Sequence, residues 1–192
     1  MEVLRAADRS RTPWKNGGGV TSEIAVHPPG AGLDDFGWRI STALVAAGGS
    51  FSRFDGIDRA LLVIGGRGLK LQIGERAPAT VTRKSHPLSF PGEIAVHADL
   101  VRGPVSDLNV MTRRGEWRSQ LQRRTSQAPN AIFRTADVSF VVALGRLVAR
   151  SSDRTAELAT GDAIRLAARE VPTLEPVAPA AEFVVIDLWR LN

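Results

Sequence analysis

Apolar and polar residues alternate along most of this chain. The runs "VTSEIAVH" from Val20, "WRISTALV" from Trp38, "ALLVIGG" from Ala60, "LKLQIG" from Leu69, "EIAVHADLV" from Glu93 and "SDLNVMTR" from Ser106 are bounded by Gly, Pro and Asp clusters. Such a period of two puts every second side chain on one face, so each run predicts a strand. A polar break, "RTSQAPN", follows from Arg124 to Asn130, after which "SFVVALGRLVAR", "DAIRLAA" and "EFVVIDLWRL" resume the strand pattern. Helical periodicity is rare, with short helix expected at most at Asp34–Phe36 or around Gln120. The chain's 11 prolines and 18 glycines fit an all-β protein with many turns.

The pattern also repeats. "LLVIGGRGLKL", "LSFPGEIAV" and "VSDLNVM" are followed later by "FVVALGRLVAR", "LATGDAIRL" and "EFVVIDL". Each copy is an apolar strand ending at glycine, a turn carrying Gly and an acidic residue, and a closing apolar strand. Two small barrels in one chain are the expectation. Residues 1–124 would form the first, and residues 125–192 a more degenerate half open to completion by N-terminal strands.

Composition narrows the function classes. A chain of 192 residues, 43% hydrophobic, is long enough for a proper core. It has no cysteine, which removes disulfides, iron–sulfur clusters and thiol catalysis. No apolar leader or membrane-length run is present, so a cytoplasmic protein without membrane partners is expected. The net charge of +5 raises nucleic-acid binding. The positive residues, however, are scattered arginines, and the densest cluster, "RRGEWRSQLQRR" from Arg113, holds a single aromatic residue. Nucleic acid is not expected as a partner; a homodimer is compatible with the sequence.

One stretch invites chemistry of its own. In "TPWKNGGGVTSEIA", Lys15 and Asn16 precede Gly17, Gly18 and Gly19, and a strand follows. A phosphate-binding loop has its lysine after the glycines and ahead of a helix, so the order argues against a nucleotide site. Alternation then sorts the polar residues: Thr21, Glu23 and Ala25 share one face, as do Arg39, Ser41 and Ala43, and Asp107, Asn109, Met111 and Arg113. From pattern alone this face fits water or a barrel lumen equally well. Trp14, Trp38, Trp117 and Trp189 read as packing residues.

The glycine-turn, strand, Pro-Gly-acidic pattern resembles the cupin barrel. More specifically, "TPWKNGGGVTSEIAVHP", "WRISTALVAAGGSFSRFDGIDRALLVIGGRG" and "GPVSDLNVMTRRG" resemble signature segments of the HutD/Ves family of small bicupins, which is often encoded with histidine-utilisation genes. The sequence departs from the family pattern at Asp55, where proline is expected. The resemblance implies an all-β bicupin with the polar face turned to the lumen of the first barrel.

Most cupins hold a metal through an H-x-H pair, a glutamate and a later histidine. Here the histidines are His27, His86 and His97, with no H-x-H. Sliding the cupin pattern along the chain places Arg59 in the glutamate slot, and the later histidine falls near Ala95. A guanidinium forks onto a carboxylate and repels a metal, so no cofactor or metal is expected and an anion site is. The candidate ligand-binding residues are Lys15, Asn16, Glu23, Arg39, Arg59, Asp107, Asn109, Met111 and Arg113.

The leading expectation is a metal-free bicupin binding a small carboxylate. The family resemblance suggests urocanate or a formylated or formiminated glutamate, in a regulatory or metabolite-buffering role. A cofactor-free isomerase or hydrolase, with Glu23 or Asp107 as base and Arg59 stabilising an oxyanion, is the alternative. An RNA- or protein-binding module acting through the Arg113–Arg124 cluster comes third.

Overall fold

The computed structural model describes residues 1–133, 135–152, 154–167 and 170–191. Their regular secondary structure is nearly all strand: β1 (Glu2–Leu4), β2 (Arg11–Pro13), β3 (Gly19–His27), β4 (Trp38–Val45), β5 (Gly49–Ser50), β6 (Ile57–Gly65), β7 (Leu69–Ile73), β8 (Ala79–Val81), β9 (Leu88–Pro91) and β10 (Val96–Leu100) come first. Then follow β11 (Val105–Arg113), β12 (Trp117–Ser126), β13 (Asn130–Ala131), β14 (Val138–Ala143), β15 (Leu147–Arg150), β16 (Thr155–Leu158), β17 (Ala163–Leu166), β18 (Thr173–Pro176) and β19 (Ala181–Arg190). The helical element among the described residues is one 3-10 turn at Ala6–Asp8. Helix was expected at most at Asp34–Phe36 or near Gln120; Asp34 lies in a turn and Gln120 in β12.

The chain forms two compact units. One comprises Ser10–Arg118 with Leu191, the other Met1–Arg9 with Ser119–Arg190. The chain changes unit within β12, and β1 pairs with β17, which puts the first strand in the C-terminal unit. Each unit is a pair of sheets. The N-terminal unit has a six-stranded sheet, β2-β3-β4-β11-β6-β9, and a four-stranded one, β5-β10-β7-β8. The C-terminal unit has a five-stranded sheet, β1-β17-β14-β19-β12, and a four-stranded one, β13-β18-β15-β16. This is the jelly-roll arrangement of the cupin barrel, as the sequence pattern anticipates.

The interiors differ. In the C-terminal unit the core is aliphatic and aromatic, with Ile132, Val141, Leu147, Ile164, Leu174 and Phe183 fully buried. In the N-terminal unit Leu61, Val63, Leu69, Leu71, Phe90, Val96 and Val105 fill one region of the interior. Fully burying each large apolar side chain contributes about 1.5–3 kcal/mol, so these clusters supply the driving force for closing the sheets. Ala60 to Val63 is a continuous apolar run because both faces of β6 are buried, which ends the alternation there.

Register decides what lies beside that core. Asn109 on β11 stands opposite Ser41 on β4 and Leu61 on β6. Asp107 stands opposite Ala43 and Val63, and Met111 opposite Arg39 and Arg59. On β3, Thr21 pairs with Ala43 and Glu23 with Ser41, so polar groups from four adjacent strands gather on one face. Sequence alternation also placed Ala25 there. A bulge at Ile24 corrects this: Ala25 pairs with Ile40 and Val26 with Arg39, because one extra residue reverses the parity of the strand.

Candidate functional site

A cavity of about 680 Å³ opens in the N-terminal unit, over the polar part of this face. Its strand-borne lining includes Thr21, Glu23, Arg39, Ser41, Ala43, Arg59, Asp107, Asn109 and Met111. Loops add Trp14, Lys15, Asn16, Leu33, Phe51 and Phe54. The volume suits a small metabolite, and the mix of apolar walls with a few convergent polar groups is that of a ligand pocket.

Arg59 is the central group. It is 8% exposed. Its Nη1 donates to the Ser52 carbonyl at 3.2 Å and its Nη2 to Asn109 Oδ1 at 3.1 Å. The guanidinium carbon lies 5.2 Å from the ring centroids of Phe51 and Phe90 and 5.8 Å from that of Phe54. Three aromatic faces thus stand in for part of its hydration shell. Burial lowers its pKa to about 10, opposed by nearby Asp107 and assisted by Arg39, so it stays a cation at neutral pH. Its buried Nε has no hydrogen-bond partner among the described residues.

Asp107 lies on the same wall and is buried. Its Oδ1 accepts a 2.5 Å bond from Asn109 Nδ2, while Oδ2 has no partner among the described residues. Burial pushes its carboxyl up to about 7, with Arg59 and the Asn109 bond pulling the other way. Asn109 therefore bridges the two groups, giving its carbonyl to the arginine and its amide to the aspartate. On the neighbouring strands of the same sheet, Arg39 Nε donates to Glu23 Oε2 at 2.7 Å, so this pair is largely self-compensated.

The glycine-rich stretch forms one edge of the opening. Gly17 turns the chain with φ +69°, a conformation that favours glycine. Asn16 Oδ1 accepts from the Gly18 N–H at 3.0 Å, so this side chain caps its own turn. Gly19 packs so closely that a Cβ would lie 2.6 Å from the Leu44 carbonyl and 3.0 Å from the Trp14 ring. The glycines seat the loop against β4. Lys15 is exposed and lines the cavity, with no ion pair among the described residues.

Of the nine candidates read from the sequence, eight line the cavity and Arg113 does not. Arg113 ends β11 and turns away, its Nε donating to the Phe36 carbonyl and its Nη2 to the Asp34 carbonyl, which ties down the loop before β4. The cavity's cations are therefore Lys15, Arg39 and Arg59, against the carboxylates Glu23 and Asp107. Sequence reasoning missed Phe51, Phe54 and Leu33, which come from loops where no periodicity marks a lining residue. It also read Trp14 as packing alone. Trp14 does pack against Phe51, but it lines the cavity as well, with Nε1 donating to Thr21 Oγ1 at 2.7 Å.

The residues do not fit the metal of cupin enzymes. Among the described residues no three His, Cys, Asp or Glu side chains converge as ligands, and a guanidinium faces the cavity. His27 is stacked on Trp38 with Trp117 at its edge, and His97 sits at the surface 3.5 Å from Asp99.

Known proteins share this plan and these motifs. A family model described as HutD matches residues 6–185. A 21.2 kDa protein in a hutC 3' region of Pseudomonas putida is 38% identical over 64% of this chain and 63% of its own length. Protein Ves of Citrobacter koseri is 37% identical over 57% of this chain and 56% of its own length. The chain thus matches less than two thirds of either relative. Among solved structures, a conserved protein of unknown function from Pseudomonas aeruginosa PAO1 has a TM-score of 0.87 at 31% identity, covering 98% of both chains. HutD from Pseudomonas fluorescens SBW25 has a TM-score of 0.83 at 28% identity, covering 100% of this chain and 99% of its own. A cupin barrel protein from Leptotrichia buccalis, at 11% identity and a TM-score of 0.62, shares the fold alone. Matched by its family model over nearly its whole length, the chain belongs to the HutD family.

Proposed function

We propose that this protein binds a small carboxylate metabolite of histidine catabolism in its N-terminal barrel, without metal, in a regulatory or buffering role. The observation that carries the reading is Arg59. A guanidinium buried in a cavity, with its Nε unpartnered, is costly unless an anion completes its coordination. Carboxylates suit it because the guanidinium presents parallel N–H donors to two oxygens at once. The apolar wall of Trp14, Phe51, Phe54 and Met111 suits a short organic body. The link to histidine catabolism rests on family membership and on the hutC-region relative.

The test is a thermal-shift screen of urocanate, N-formylglutamate and formiminoglutamate against matched neutral amides. A ligand that binds only the folded state raises its melting temperature by mass action. Acids that stabilise where their amides do not support the reading; no difference between them sinks it. Consumption of the acid on prolonged incubation would instead favour a cofactor-free isomerase or hydrolase.

A further inference from the structure

We propose that Asp107 is a second recognition residue of this cavity, a neutral carboxyl group that donates a hydrogen bond from Oδ2 to the bound carboxylate, so that anion binding is coupled to proton uptake. The proposal rests on the carboxylate reading of the cavity. Asp107 is 1% exposed and lines the cavity from β11, between Ala43 and Val63. Its Oδ1 is used by Asn109; among the described residues its buried Oδ2 has no partner, nor has Arg59 Nε. Two unsatisfied polar atoms, one on each of two paired strands, are what an absent ligand would leave behind, since buried polar groups are rarely left unpaired.

The charges around Asp107 decide which proton state meets the ligand. From β6, Arg59 attracts the ionised form. From β4, Arg39 is neutralised by Glu23 of β3, and Lys15 stands exposed in the loop before it. None of the three histidines lines the cavity. An ionised Asp107 would face an incoming carboxylate with like charge inside the cavity, and its Oδ2 would still lack a donor. With a proton between them, the two carboxyl groups share one hydrogen bond, the arrangement that like-charged acids adopt at close quarters. The ligand's other oxygen is left for Arg59. In the free protein burial already holds Asp107 near 7, so the proton is available at physiological pH.

The experiment is calorimetric titration with N-formyl-L-glutamate, whose carboxylates stay ionised from about pH 6 to pH 9. It is run on the parent and on Asp107→Asn, which keeps the acceptor for Asn109 and offers an N–H in place of the acid proton. Parent affinity is expected to change little below about pH 7 and to fall about tenfold per pH unit above it. Its binding enthalpy at pH 7.5 should depend on the buffer's ionisation enthalpy, which marks proton uptake and needs no variant. Asp107→Asn should bind within a few fold of the parent at pH 6 and show no slope. Parent binding that is flat in pH and indifferent to buffer overturns the proposal, as does a slope that persists in Asp107→Asn. No binding by the parent at pH 6 overturns the carboxylate reading itself.

Discussion

Arg59 and Asp107 face the same cavity, and burial disfavours the charged form of both, yet only Asp107 is brought near neutrality. Arg59 keeps its charge because three phenylalanine faces, a carbonyl and an amide replace water around it. If it anchors a carboxylate through its fork, Arg59→Lys keeps charge and loses geometry. Affinity for the acid should then drop by roughly tenfold or more, since a charge-assisted contact is worth about 1.5–3 kcal/mol. Calorimetric titration of the folded variant reads this directly, and an unchanged affinity would remove Arg59 as the anchor. Asp107 predicts a pH signature even without ligand. Its folded pKa is raised, so the unfolded chain releases this proton first, and stability is lost as pH climbs from about 4 to about 7. The slope is roughly 1.4 kcal/mol per pH unit for one proton. Asp107→Asn has no such proton, so its melting temperature should gain on the parent across that window and run parallel above it. Parallel curves throughout would mean that Asp107 titrates normally.

At the scale of elements, alternation exposed most of the site in advance. Arg39, Ser41 and Ala43 on β4, and Asp107, Asn109 and Met111 on β11, share a face as period two requires. What the pattern could not carry is parity across an irregularity. The bulge at Ile24 sets Val26 rather than Ala25 opposite Arg39, and nothing in "SEIAVH" announces it. Strand ends are equally opaque: Arg113 continues the alternation of β11 but leaves the cavity to hold the loop carbonyls of Asp34 and Phe36. Phe51, Phe54 and Leu33 reach the cavity from connections whose course depends on tertiary packing. The loop 14–19 was legible as unusual from its run of glycines. Its glycines bring backbone against β4, and the point is testable at Gly19. A methyl there meets the Leu44 carbonyl and the Trp14 ring, neither able to yield without moving β4 or the cavity wall. Gly19→Ala should cost about 1–3 kcal/mol, as overpacking generally does. Denaturant unfolding measures it, and a loss below about 0.5 kcal/mol would show that the loop relaxes freely.

Across the whole molecule, one architecture is used twice with different interiors. In the C-terminal unit, facing positions on β14 and β19 are Val141 with Val185 and Ala143 with Phe183. On β6 and β11 the corresponding central pairs are Leu61 with Asn109 and Val63 with Asp107. Polar groups on β11 and on β3, β4 and β6 of the same sheet line a cavity where the C-terminal unit has packed apolar side chains, while Leu61 and Val63 stay in the hydrophobic cluster beside it. The polar pair is not confined to the hollow unit: Ser139 donates to Asp187 at 2.5 Å within the packed one. There the Ser139 hydroxyl and Asp187 Oδ1 satisfy each other. This division of labour should appear as unequal tolerance to truncation. Phe183 is fully buried in a packed core, and Phe183→Ala should destabilise by about 3–5 kcal/mol through lost transfer energy plus the void it leaves. Ser41 lines a space that already exists, so Ser41→Ala removes little packing and should cost no more than about 1 kcal/mol. Chemical denaturation of both variants, with ligand affinity measured beside it, separates the two roles. Comparable losses of stability would mean that the N-terminal interior is packed as tightly as its counterpart and that the cavity is not held open by its polar wall.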